Sequence, residues 1–134
     1  MTTRLPTGRF ALTPAIDDRV RALSGAPPRQ GDAAHPILAY VGALNGLARP
    51  IGEVARALGL AFDSGPVLGR CEIDLPGALR VDQVYEVEAE VSALTRKASR
   101  RFGQADHAGF VITLAQGGQP VSVLRFAMIT PVIA

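Results

Sequence analysis

The stretch Pro36-Ile-Leu-Ala-Tyr-Val-Gly-Ala-Leu-Asn-Gly-Leu-Ala48 carries no charged side chain. A helix that is apolar nearly all round has no face to offer water, so this segment belongs inside a fold. Gly42 and Gly46 are four residues apart and share one side of that helix. Each glycine costs about 1 kcal/mol of helix propensity relative to alanine. That predicts a smooth stripe where a backbone, a sheet or a ligand approaches closely.

Upstream of this helix, Gly8–Leu12 reads as a short strand. Thr13-Pro14 then supplies an N-cap followed by proline at the first helical position. Ile16, Val20 and Leu23 recur at helical spacing and predict a small amphipathic helix packed by that stripe, with Asp17 and Asp18 in its first turn and Gly25 ending it. Residues 26–32, with two prolines and a glycine, form a loop. Downstream, Pro50 interrupts the central helix, and residues 51–60 give a second, more exposed one with Glu53 and Arg56 outward.

The period then changes from helical to two. Val67, Gly69, Cys71, Ile73 and Leu75 alternate with more polar neighbours before a turn at Pro76-Gly77. Tyr85, Val87, Ala89, Val91 and Ala93 alternate with Glu86, Glu88, Glu90 and Ser92, which predicts a strand with one wet and one covered face. Residues 110–114 form a further strand, Gln116-Gly-Gly-Gln119 a tight turn, and residues 121–132 a long last strand. The order β-α-α-α-β-β-β-β predicts an α+β fold with the charge-free helix lying across one face of an antiparallel sheet.

Composition bounds the function. At 134 residues the chain builds one domain around a single core. With 48% hydrophobic and 19% charged residues it is no disordered chain. Aromatics are 5% and tryptophan is absent, which argues against base stacking on single-stranded nucleic acid. The basic run Arg96-Lys-Ala-Ser-Arg-Arg101 is read as a solvated hairpin end, so no nucleic-acid partner is expected. Cys71 is the sole cysteine, which excludes an intramolecular disulfide and a Cys-based metal cluster, and fits a reducing cytoplasm. Cys71 itself reads as a small core residue. No stretch has the length of a membrane span and the N-terminus has no apolar targeting core, so neither a membrane nor export is expected.

A buried helix wrapped by a long antiparallel sheet resembles the hot-dog fold. The details resemble the MaoC-like dehydratase and hydratase family over nearly the whole chain. The matching pieces are the strand and helix of residues 10–25, the His35-Pro36 start of the central helix, Gly65-Pro-Val-Leu-Gly69, and Leu79-Arg-Val-Asp-Gln-Val-Tyr85, where the family commonly has a proline-glycine-aspartate turn before a strand. The resemblance implies hydration of trans-2-enoyl thioesters or dehydration of (R)-3-hydroxyacyl thioesters, with the acyl group on coenzyme A or acyl carrier protein. It implies no metal or other cofactor. It also implies a homodimer, or a heterodimer with another hot-dog subunit, that buries a sheet edge and an acyl tunnel.

In that family a loop Asp and a His five residues later position a water, and a backbone N–H at the start of the central helix polarises the thioester carbonyl. Here the only histidines are His35 and His107, preceded five residues earlier by Gln30 and Phe102, so the usual spacing is absent. Asp32 and His35, three apart at the mouth of the central helix, are the candidates for a displaced acid/base pair, and either serves equally to cap the helix. Pro36 stands where the family has glycine and has no N–H, so the Ile37 N–H becomes the candidate carbonyl donor. Tyr40 and Asn45, the only hydrogen-bonding side chains within the helix, are candidate substrate contacts.

Hot-dog thioesterases and the fatty-acid-synthesis dehydratases that resemble this fold place a carboxylate on or beside the central helix, and residues 36–49 contain no Asp or Glu, so the resemblance ranks thioester hydrolysis lower. Asp106-His107, between Gly103 and Gly109, reads as part of a solvated turn. Three functions stay open: the hydratase or dehydratase itself, a catalytically silent hot-dog subunit holding the acyl chain for an active partner, and a binding or tailoring domain in polyketide-like metabolism.

Overall fold

The structure, a computed structural model, describes residues 3–132. Its strands are β1 (Thr3–Arg4), β2 (Gly8–Leu12), β3 (Val67–Asp74), β4 (Gln83–Ser99), β5 (Gly103–Gln116) and β6 (Gln119–Pro131). Helices α1 (Pro14–Ser24), α2 (Leu38–Asn45) and α3 (Ile51–Ala57) lie between β2 and β3, followed by a 3-10 turn at Phe62–Ser64. The strands form one antiparallel sheet in the order β1-β4-β5-β6-β3, with β2 pairing along β4 beside β1. This is the α+β hot-dog architecture that the sequence predicts.

The alternation in β4 places Tyr85, Val87, Ala89 and Val91 on the covered face. Register carries that face across the sheet: Val87 lies opposite Leu114, Ala89 opposite Ile112 and Val91 opposite Phe110. Phe110 in turn faces Phe126 on β6, their rings stacked at 5.0 Å. Leu38, Ala39 and Ala43 of α2 are buried in the same core.

The glycine stripe explains how α2 sits so deep. A Cβ on Gly42 would lie 2.6 Å from the Phe10 ring, and one on Gly46 would lie 2.5 Å from Val87 Cγ2. The approach is mutual, because a Cβ on Gly8 of β2 would fall 1.9 Å from the Gly46 carbonyl oxygen. Backbone meets backbone there, and no side chain fits between.

Four expectations are corrected. The central helix is shorter than its charge-free stretch: Leu38 and Ala39 donate to His35 and Pro36 carbonyls with 3-10 spacing, so the regular helix begins only at Leu38. In α1 Leu23 is 80% exposed, and the buried residue is Asp17, because that side of the helix faces the polar loop that follows it. Cys71 is exposed, since β3 is an edge strand with only β6 beside it. Asp106 lies within β5 rather than in a turn, and is 8% exposed. Strands β4 and β5 continue several residues beyond the periodic segments, so their hairpin turns at residues 100–102 instead.

Candidate functional site

The mouth of α2 is held by a buried carboxylate. Asp17, 0% exposed, accepts the His35 backbone N–H at 2.7 Å, Arg21 Nε at 2.7 Å and Arg29 at 3.0 Å. Arg29 also bonds Asp18 at 2.9 Å, while Arg21 reaches the Pro27 and Ala33 carbonyls. One cluster thereby fixes α1, the loop after it and the first residue of the α2 mouth. Burial pushes the Asp17 carboxyl up, but the His35 N–H and the two guanidiniums outweigh it, and the net is below the ordinary carboxylate value.

A second set of contacts ties the loop to the chain before β4. Ala34 donates to the Leu79 carbonyl and Val81 to that of Asp32. The buried Tyr85 hydroxyl accepts the Arg80 N–H at 2.9 Å and so fixes this segment from below. The Asp32 carboxylate is taken by Arg80 at 2.6 Å, with both side chains more than half exposed.

The sequence-predicted residues occupy this mouth without forming the expected pair. Among the described residues no ion pair or hydrogen bond joins the side chains of Asp32 and His35. His35 Nδ1 instead accepts the Ile37 N–H at 3.1 Å, so the candidate carbonyl donor already has an acceptor. Asn45 is exposed at the far end of α2. Tyr40 is half-buried and lines an apolar pocket of about 220 Å³ with Leu44, Ile51, Phe62, Phe126 and Met128.

That pocket opens beside Val67 and Leu68 of β3. Leu68 and Ile73 are 49% and 37% exposed, so the covered face of the sheet runs out uncovered at this edge. A hollow of about 260 Å³ elsewhere on the sheet is lined in part by Arg70, Glu72 and Arg125. Its cations are already engaged, Arg70 by Glu72 and Arg125 by Asp74, so it offers an apolar chain less than the Tyr40 pocket does.

Sequence reasoning missed Asp17, Arg29 and Arg80 as residues of the mouth. The i, i+4 spacing of Asp17 and Arg21 was a visible signal, but of a surface helix pair. Nothing local marks Arg29, twelve residues on, or Arg80, forty-eight residues from Asp32. Among the described residues no group of three or more His, Cys, Asp or Glu is placed to hold a metal ion. Among the described residues no helix is long and apolar enough to cross a membrane.

This combination of a buried central helix, one wrapping antiparallel sheet and an apolar pocket beside the helix is the hot-dog fold found in MaoC-like dehydratases. No protein-family model and no curated protein sequence matches the chain. Solved structures do. The chain is similar to a subunit of the ChsH1-ChsH2 complex from Mycobacterium tuberculosis, with a TM-score of 0.76 at 15% identity over 98% of this chain and 85% of that one. It is similar to a chain of the HadBC (3R-hydroxyacyl-ACP dehydratase) complex from the same organism, with a TM-score of 0.64 at 11% identity over 96% and 94%. The MaoC-like dehydratase of Rhodospirillum rubrum matches with a TM-score of 0.54 at 17% identity over 100% and 94%.

Proposed function

We propose that this chain is an acyl-thioester-binding hot-dog subunit without an acid/base pair of its own, working beside a second hot-dog subunit. One observation carries the reading: Asp32 and His35, the groups that would do the chemistry, each have another partner and do not meet. Asp32 is held by Arg80, and His35 Nδ1 is occupied by the Ile37 N–H that would otherwise receive a thioester carbonyl. The apolar pocket at Tyr40 suits an acyl chain.

The uncovered β3 edge, with Leu68, Cys71 and Ile73 exposed, suits a second subunit that continues the sheet and closes the pocket. Two of the similar structures are complexes of two different hot-dog chains, which is the arrangement proposed. A homodimer uses the same edge.

A second reading rests on His35 Nε2, which has no partner among the described residues. His35 would then act as a single acid/base group on an enoyl or 3-hydroxyacyl thioester, with Asp32 freed from Arg80. Hydration of a panel of trans-2-enoyl-CoA thioesters separates the two. The subunit reading expects acyl-CoA binding by calorimetry without turnover. Turnover by the chain alone that disappears in His35→Ala overturns it in favour of the hydratase.

A further inference from the structure

The outer face of the sheet carries charges that are ordered across the strands. Alternation turns Ala89, Val91, Phe110, Ile112, Leu124 and Phe126 inward, so Glu90, Val111 and Arg125 point outward. Register sets these in one row with residues of the flanking strands. Arg4 of β1 lies opposite Glu90 of β4, and Glu90 opposite Val111 of β5. Val111 lies opposite Arg125 of β6, and Arg125 opposite Glu72 of β3. Across the sheet the row is positive, negative, apolar, positive, negative, centred on Val111.

Among the described residues Arg4, Glu86, Glu88 and Glu90 form no ion pair. The three glutamates occupy every second position of β4, about 7 Å apart, so their like charges repel. Arg125 holds Asp74 and Glu72 holds Arg70, but these pairs are solvent-exposed, contribute little and exchange partners at little cost. Hollows of about 60 and 260 Å³ lie on the two sides of Val111, the first bordered by Arg4 and Glu90, the second by Arg125 and Glu72. They leave room for side chains from an opposing surface.

Sheets stack face to face about 10 Å apart with their strands within about 30° of alignment. A second copy laid on this face by a two-fold axis has two aligned choices. An axis across the strands sets β4 over β4, glutamates on glutamates. An axis along β5 sets β4 over β6 and β1 over β3. Glu90 then meets Arg125 of the second copy, and the symmetry makes that contact twice. Arg4 meets Glu72 at the flanks, also twice, and Val111 packs on its own counterpart at the centre. Glu88, one pleat along, has the same Arg125 on its diagonal. Only the axis along β5 puts opposite charges together throughout the row.

We infer that the outer face of the sheet is a self-association surface, on which a second copy of this chain stacks about a two-fold axis along β5 through reciprocal Glu90–Arg125 contacts. The surface is separate from the β3 edge, and the inference does not depend on acyl binding. A footprint of about 20 Å each way is small for a stable complex, so the association is weak, of micromolar order, and falls with salt.

Sedimentation equilibrium of the full chain over a range of concentrations, at low salt and at about 0.5 M salt, tests this. At low salt the wild type doubles its assembly mass as concentration rises. Glu90→Arg and Arg125→Glu each set like charges together at two symmetric places and weaken the doubling about a hundredfold. An equimolar mixture of the two variants restores it, since each offers the other the charge it lacks, and restoration also reports that both are folded. Glu53→Arg, the same change of charge placed on α3, leaves the doubling intact. A wild type no heavier than the single variants at any concentration overturns the inference. So does a mixture that stays as dissociated as its components, or a Glu53→Arg chain as weakened as Glu90→Arg.

Discussion

Replacing Asp17 by asparagine leaves the shape of the α2 mouth unchanged and removes its charge. Asparagine Oδ1 still accepts the His35 N–H, but its amide presents hydrogens where Arg21 and Arg29 now donate. Removing one side of a buried ion pair costs about 3–5 kcal/mol. Two features reduce that here: the His35 bond survives, and the Arg21 and Arg29 side chains, 15% and 17% exposed, keep a flank in water. The expected loss is therefore about 2–3 kcal/mol. With a urea slope of about 1.5 kcal/mol per molar for a chain of this size, the unfolding midpoint falls by about 1.5–2 M at pH 7. Asp63→Asn is the control, since it breaks the exposed Asp63–Arg56 pair and leaves the midpoint unmoved. A shift below about 0.5 M for Asp17→Asn would refute the idea that this cluster holds the mouth. The pH dependence has a definite sign. The folded Asp17 carboxyl titrates below its unfolded value, so its contribution is complete above the ordinary carboxylate range and is lost as the pH falls through the folded value. The gap between wild type and Asp17→Asn thus closes on acidification.

Three further outcomes follow from the packing. Gly46→Ala destabilises by about 1–3 kcal/mol in chemical unfolding despite the better helix propensity of alanine, because its methyl meets Val87, Phe10 and the Gly42 carbonyl within 2.9 Å. Cys71 in an isolated subunit reacts with a thiol reagent at the rate of an exposed cysteine, and assembly through β3 slows that reaction at least about tenfold, while Ile73→Lys restores it. Tyr40→Ala weakens octanoyl thioester binding by about tenfold in calorimetry, since it strips an aromatic wall from the pocket, and leaves the chain folded.

The elements were legible because their signals are local. Thr13, Pro14 and Gly25 marked both ends of α1, and the structure has the Thr13 hydroxyl accepting the Ile16 N–H and Gly25 at a φ of 73°. The glycines of α2 announced a close approach, which Gly8 and Phe10 of β2 fulfil. Gln116-Gly-Gly-Gln119 named its turn, and both glycines have positive φ. Leu23 misled because a stripe of three apolar residues says which face is apolar, not that a neighbour covers it to the end. Cys71 misled for a related reason: an alternating strand reads the same at the centre of a sheet as at its edge.

The sequence by itself determined that a charge-free, glycine-striped helix is enclosed by long alternating strands, because propensity and period are properties of neighbours along the chain. Only the tertiary structure decided the partners at the mouth. Asp17 joins Arg29 and His35, and Asp32 joins Arg80 rather than His35, across separations of 12, 18 and 48 residues. A carboxylate settles on whichever donors the folded chain brings within about 3 Å, and desolvation makes that choice binding for Asp17. Sequence distance carries no information about it.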